Sequence, residues 1–358
     1  MKRTVVIILL LTVFSADSEI ITVSGQRCTD IQFALNKAAH GDTVFLPEGN
    51  YLFRNTVNIH KEVYLKGSGA EKSRIQRSSN ATGEFWFITV DGSLGRPVRI
   101  SGLGFYGNSP NETPGIRLQN EVLDFRIDNC VFKLCNRRAI EIRGGGRGVI
   151  DNNKFIDNWP TAVVIYGKGD EAWDSELALG SENAVFVEDN YFVQNEIPQI
   201  NMAHHIASNN GSRYVFRYNK ISDGQLASHS IDAHGNKFYW PRGSRSYEIY
   251  ENIIKAKHRW AGINIRGGDG VIFNNRFYGS FVSPIHLMHE SNSGDGNCVY
   301  PCEDQIRKLY IWGNVINGDE VEVFVRHPEI VKENRDYKVQ KLPGYKPYTY
   351  PHPLRGEE

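Results

Sequence analysis

The chain has 358 residues, and its 41 Lys plus Arg balance 41 Asp plus Glu, so the formal net charge is zero. That balance argues against a general nucleic-acid or acidic-membrane binder, which needs a basic excess. Hydrophobic residues at 40% and charged residues at 23% exclude disorder, while 34 Gly and only 3 Met point to many tight turns and few packed helices.

At the start, Lys2 and Arg3 precede an apolar run from Val5 to Phe14, followed by small and polar residues. That order predicts a signal peptide over residues 1–18, cleaved after Ser18, because the run is well short of the ~20 residues that span a bilayer. A secreted or periplasmic product without membrane insertion is the expectation. Residues 29–39, TDIQFALNKAA, predict a short amphipathic helix with Ile31, Leu35 and Ala38 on one face and Thr29 or Asp30 as its cap. GDTVFLPEGNY (41–51) then reads as turn, strand and turn.

From residue 99 onward an imperfect repeat takes over. RISGLGF (99–105), FRIDNCVF (125–132), VIDNNKF (149–155), FVEDNYF (186–192), VFRYNKI (215–221), EIYENII (248–254), VIFNNRF (271–277) and YIWGNVI (310–316) share a strand, a turn residue and a large apolar residue. The aligned slot holds Leu103, Cys130, Asn153, Asn190, Asn219, Asn252, Asn275 and Asn314. Variable spacing between copies excludes helical solenoids, whose units keep constant length. About ten residues after each slot comes a second apolar-alternating strand: Ile140–Arg143, Val163–Tyr166, Ile200–Ala203, Ile231–His234, Ile263–Arg266 and Ile285–Met288. Short strands joined by variable loops, with a buried Asn bonding from coil to coil, describe a right-handed parallel β-helix of about ten coils. The domain plan is a β-helix over 19–330 and an extended Pro- and Tyr-rich tail over 331–358. Cys298 and Cys302, four apart in a loop, read as a local disulfide in an oxidising compartment. Cys130 and Cys135 read equally well as small buried residues.

The helix followed by GDTVFLPEGNY resembles the N-terminal opening of the pectin-lyase-like β-helix superfamily. The runs HSIDAHG (229–235), RGGDGVIFNN (266–275), YPCEDQI (300–306) and GYKPYTYPHPL (344–354) are similar to those of exported pectate-lyase-like proteins. This resemblance implies polysaccharide binding and often uronate cleavage, although the superfamily also holds hydrolases, epimerases and non-catalytic adhesins. The calcium-binding Asp sets and catalytic Arg motif of true pectate lyases have no match, nor does the Asp triplet of polygalacturonases.

Stacking the second strands places alternate residues outward. One outward row runs Glu141, Val164, Asn201, Asp232, Asn264, His286, and the other Arg143, Tyr166, Ala203, His234, Arg266, Met288. Adjacent coils lie ~5 Å apart, so Asn201, Asp232, His234, Asn264, Arg266 and His286 share one patch, with His204 and His205 at its margin. Seven of the eleven His fall between residues 204 and 289. The loop 235–246 adds Tyr239, Trp240 and Arg242, aromatic and cationic groups suited to sugar rings and carboxylates.

The chemistry expected is β-elimination on a uronate-containing polysaccharide. His234 would act as base beside Asp232, His286 or Arg266 as acid, and Asn201, Asn264 and Arg266 as stabilisers of the enolate. His204, His205, Tyr239, Trp240 and Arg242 would hold the sugar chain. The alternatives are a glycoside hydrolase, for which the loop carboxylates Asp269, Glu290 and Asp295 could approach Asp232, and a non-catalytic carbohydrate-binding rod. No cofactor is expected; the alternative is a divalent metal on His234, His286 and Asp232. Expected partners are acidic or neutral polysaccharides, not nucleic acid, and the expected state is monomeric.

Overall fold

The computed structural model describes residues 18–93, 97–107, 114–195, 204–237 and 240–356. Apart from Ser18, the expected leader lies outside them. Among the described residues, no helix is long and apolar enough to cross a membrane.

The fold is a right-handed parallel β-helix. One face is a twelve-stranded parallel sheet running from Ile20–Thr22 to Tyr337–Lys338; the other faces merge around a corner into an eighteen-stranded sheet. The slot between the faces explains the repeat. The residue before each slot turns left-handed, with φ between 53° and 56° at Asn129, Asn152, Asp189, Tyr218, Glu251 and Asn274. Asn and Asp tolerate that conformation best, which accounts for four of the six. The slot amides then bond in a continuous column. Asn190 donates from its backbone to Asn219 Oδ1 (3.0 Å), Asn219 to Asn252 (2.9 Å), Asn252 to Asn275 (3.2 Å) and Asn275 to Asn314 (3.0 Å). Two residues on, the apolar position points inward, and Phe105, Phe132, Phe155 and Phe192 stack at 4.8, 5.1 and 4.6 Å.

The amide column is a stability element, since Asn219 is wholly buried and its Nδ2 also donates to Val187 O (2.8 Å). Asn219→Ala would strand the Asn190 N–H and the Val187 carbonyl away from water. We expect a loss of about 2–4 kcal/mol, read from the urea-unfolding midpoint; an unchanged midpoint would show that the column is not stabilising.

The first helix spans Cys28–Lys37 with Ile31, Ala34 and Leu35 buried, one residue ahead of the expected start. Its cap position is Arg27, not Thr29 or Asp30; Asp30 sits at the third helical position and accepts from the Arg27 N–H (3.0 Å). The Cys298–Cys302 disulfide is present, and Cys28, Cys130 and Cys135 are buried thiols. The coil stack extends past residue 330, because Tyr337–Lys338 pairs with Leu309–Tyr310.

After that strand the chain reverses along the outside of the twelve-stranded sheet. Arg217 donates to the carbonyls of Tyr348 (2.7 Å) and Thr349 (2.8 Å), and the His352 N–H donates to Glu188 (2.9 Å). Tyr345, Tyr348 and Leu354 cover a second apolar seam of Val149, Phe186, Val215, Tyr250, Val271 and Phe273. The tail is therefore a cover for that sheet.

Candidate active site

Three long strands build the site: Lys220–Ala233, Ile253–Ile265 and Arg276–Leu287. Their core slots are filled by Ile231, Ala233, Ile263, Ile265, Ile285 and Leu287, so the residues between them face outward. Register pairs Asp232 with Asn264 and Asn264 with His286, as the stacking argument requires. The preceding strand departs from expectation. The segment Ile200–Ala203 lies outside the described residues, and the strand stacked on Ile231 is His204–Asn209, with Ile206 as its partner. Ala207 consequently takes the row position given to Asn201, beside Val164 on its other side. Asn201 and Tyr239 lie outside the described residues.

The outward patch is roofed. Asp232, Asn264 and His286 are at most 3% exposed; Glu290 closes over the first through the shared Arg266, and Trp260 and Phe324 cover the last. Lys237 is paired with Asp295 (2.8 Å), and Asn236 forms a bridge with Ser291. Arg242, expected to meet sugar carboxylates, spends its guanidinium on Asp304 and on Asp170 (2.8 Å), and its backbone neighbour Gly243 also donates to Asp304 (2.6 Å). It fastens loops together because buried Asp304 needs a cation. Trp240 stacks on Tyr166 (4.5 Å), with Arg143 over the same pair of rings. His205 faces the interior: its Nε2 meets Asp223 at 2.9 Å and its ring lies against core Phe192. That placement removes it from the outer patch.

At the centre lies a four-membered ionic cluster. Arg266 donates through Nε to Asp232 Oδ1 (2.9 Å), through Nη2 to Asp232 Oδ2, and through Nη1 to Glu290 Oε1. His234 Nδ1 meets Glu290 Oε2 at 2.9 Å. Its Nε2 lies 2.9 Å from Asp232 Oδ2 and 2.7 Å from Arg266 Nη2. A protonated ring donates from Nε2 to Asp232; a neutral ring keeps its proton on Nδ1 toward Glu290 and accepts from Arg266. Nε2 is thus the atom whose proton can come and go. Burial disfavours the imidazolium, but Asp232 and the hydrogen bonds to Asp232 and Glu290 outweigh it and hold His234 above its ordinary value. Burial would raise Asp232, yet Arg266, His234 and His229 keep its carboxyl well below the usual range. The His234 side chain is 16% exposed, against 0% for Asp232 and 2% for Glu290, so His234 and the 11%-exposed Arg266 are the members open to a ligand.

Glu290, expected from the sequence only as a loop carboxylate for the hydrolase alternative, is a full member of the cluster. The alternation that turns His286 and Met288 outward continues to it, since the Met288 and Glu290 N–H groups still donate to Ile265 and Arg266. Gly235 allows the close approach: a Cβ there would lie 2.1 Å from the Glu290 carbonyl oxygen.

His286, proposed as the acid, packs between Trp260 (4.5 Å) and Phe324 (4.9 Å), and neither ring nitrogen has a hydrogen-bond partner among the described residues. Burial, with Arg326, His229 and His327 nearby, lowers it to about 4, so at neutral pH the ring is neutral and is not an imidazolium acid. His204 stacks on His229 (4.2 Å), and His229 Nε2 approaches Asp232 (3.2 Å). His204, His229 and Asp232 bring ligand atoms within 4.8 Å of one another. A cation there would share the Asp232 oxygen with Arg266, so the residues fit a metal poorly. His286 stands two coils from Asp232, so the set of His234, His286 and Asp232 is not assembled as a ligand triad.

No curated protein matches the chain in sequence. An alginate lyase from Paenibacillus sp. str. FPU-7 is 14% identical over 86% of this chain and 98% of its own, with a TM-score of 0.47. The catalytic unit of a GH87 α-1,3-glucanase from Streptomyces thermodiastaticus strain HF3-3 is 13% identical over 87% and 65%, with a TM-score of 0.47. The A-module of an Azotobacter vinelandii mannuronan C-5 epimerase is 14% identical over 84% and 85%, with a TM-score of 0.44. Likenesses this distant say nothing about chemistry. The model for "Rhamnogalacturonase A/epimerase, pectate lyase-like" matches residues 22–230, more than half of the chain, and stops just short of Asp232, His234, Arg266 and Glu290. On that match the chain belongs to the rhamnogalacturonase A/epimerase, pectate lyase-like family.

Proposed function

We propose that this is an exported, polysaccharide-active β-helix protein that cleaves a uronate-containing polymer by β-elimination at His234. The observation that carries the reading is a partly exposed imidazole fixed at Nδ1 by Glu290, with Nε2 poised between the Asp232 carboxylate and the Arg266 guanidinium. Neutral His234 takes the C5 proton of the uronate on Nε2 as the C4–O bond breaks and the C4–C5 double bond forms. The imidazolium, stabilised by Asp232, then returns that proton to the leaving oxygen. Asp232 and Glu290 are positioning residues, since neither reaches the surface. Arg266, the partly exposed cation of the cluster, is the group able to offset negative charge on the sugar.

The test is a depolymerisation screen over pectins, alginates and glycosaminoglycans. Elimination raises ultraviolet absorbance from unsaturated ends; no rise on any polymer would count against the reading. One observation favours hydrolysis as the second reading, namely that Arg266 brings Asp232 and Glu290 together. Hydrolysis needs one carboxyl protonated, and Asp232 is held ionised. Reducing ends without the chromophore would decide for it.

The pH profile follows from His234. Its raised value means that the neutral base forms only above the ordinary imidazole range of about 6.5, so the ascending limb of kcat/KM should lie on the alkaline side of that value. Glu290→Gln removes a carboxylate that favours the imidazolium and should move the limb to lower pH. A limb that stays in place would separate His234 from the base role.

A further inference from the structure

The face built by the short strands that follow the Asn turns carries an unmatched charge. On these strands Phe155, Phe192, Ile221, Ile254 and Phe277 point into the core, so the residues flanking each point outward. Register aligns one outward row as Lys154, Tyr191, Lys220, Ile253 and Arg276. The second row runs Lys133, Ile156, Val193, Ser222, Lys255 and Tyr278. All five cations are exposed, and none is in an ion pair among the described residues; Lys255 stands 5.5 Å from the centre of the Tyr278 ring. Elsewhere the chain matches guanidinium to carboxylate, as at Arg99–Asp128, Arg126–Asp151 and Arg217–Glu188. The acids bordering the strip are hydrogen-bonded to amides, Asp157 to Asn195 (2.9 Å) and Glu251 to Asn274 (2.7 Å). Tyr191 and Tyr278 leave 41% and 40% of their surface in solvent. At the far end the strip opens into a cleft of about 760 Å³ lined by Arg276, Tyr278, Asn317 and Glu251, beyond which exposed Asp319 and Glu320 end it.

We propose that this face is a second glycan-binding surface, separate from the His234 centre, that holds an anionic polysaccharide lying along the rod axis. Along the first row, Lys154, Lys220 and Arg276 recur every second coil, at intervals of ~10 Å, set by rigid strand stacking. Such a ladder complements a polymer whose negative charge also recurs at regular intervals, and the two tyrosine rings give flat faces on which sugars stack. The surface stands whether or not His234 is catalytic, since no residue is shared.

The experiment compares the wild type, His234→Ala and the triple variant Lys154→Gln, Lys220→Gln, Arg276→Gln. Binding to polygalacturonate, alginate, neutral dextran and duplex DNA is measured by calorimetry in low and high salt. All three substituted positions in the triple variant are exposed, so unfolding is not expected, and circular dichroism checks it. His234→Ala, which leaves the polymer uncleaved, should bind the polyuronates with affinity falling as salt rises, and the triple variant made in the His234→Ala background should bind about tenfold more weakly. Tyr191→Ala with Tyr278→Ala should also weaken polyuronate binding. Unchanged polyuronate binding in the triple variant would overturn the proposal, as would dextran or DNA bound as tightly as polyuronate. Loss of elimination in His234→Ala with intact polyuronate binding keeps the two sites distinguishable.

Discussion

His234→Ala is expected to lower kcat/KM for the eliminative reaction by about 10²–10⁴-fold while leaving the fold intact. The reasoning rests on what remains after the ring is removed. Asp232 keeps its two-pronged contact with Arg266, and Glu290 keeps Arg266 and the Gly235 N–H (3.2 Å), so every buried charge still has a partner. Arg266→Ala is the wrong probe, because it leaves two buried carboxylates without their guanidinium and confuses unfolding with inactivity. The measurement is initial velocity at the unsaturated-product band, with the melting temperature as a control. An active His234→Ala protein with an unchanged melting temperature would remove His234 from the mechanism.

Arg217→Ala should cost about 3–5 kcal/mol of stability and release the tail. Arg217 is wholly buried, and its guanidinium is shared by Glu188 (2.7 Å), the Tyr250 hydroxyl (2.9 Å) and two tail carbonyls. Removing it weakens the charge balance of buried Glu188, which retains Arg355, and leaves the Tyr348 and Thr349 carbonyls unpaired. Arg217 couples tail and sheet beside the bonds of His352 to Glu188 and of Tyr350 to Asp189. Two readouts should therefore move together: the denaturation midpoint falls, and residues 339–356 become cleavable by a protease under native conditions. A fallen midpoint with a protected tail would show that the remaining contacts, the seam cover together with His352 and Arg355 on Glu188, hold the tail without Arg217.

The fold was largely legible in the sequence, because its rules are local. A slot that needs a left-handed residue, then an amide, then a large apolar side chain writes itself as N–x–F whatever the loop lengths between copies. The pairing of Asp232 with Asn264 and His286 followed from period-two alternation on well-bounded strands. In the preceding coil the register differs by six residues: Ile206, not Ile200, stacks on Ile231, so Ala207 stands in the place expected for Asn201. His205 was misplaced by the corner between two faces, where the inside–outside alternation breaks and its ring turns toward Phe192. Glu290 is legible as a loop carboxylate near Asp232, but its contacts with His234 and Arg266 are not, because the alternation has to be carried past the end of a strand to find them. The roof had no periodic signal at all. It depends on ion pairs such as Arg242 with Asp304, 62 residues apart, and Lys237 with Asp295, 58 apart, which only the folded chain brings together.

The reversal of the tail also sets an order of events during synthesis. Phe186, Val215, Tyr250 and Phe273 are all made before Tyr345, Tyr348 and Leu354 emerge to lie over them. A half-made molecule therefore presents an oily strip that a finished one hides, and any chaperone attending the nascent protein has that strip to grip.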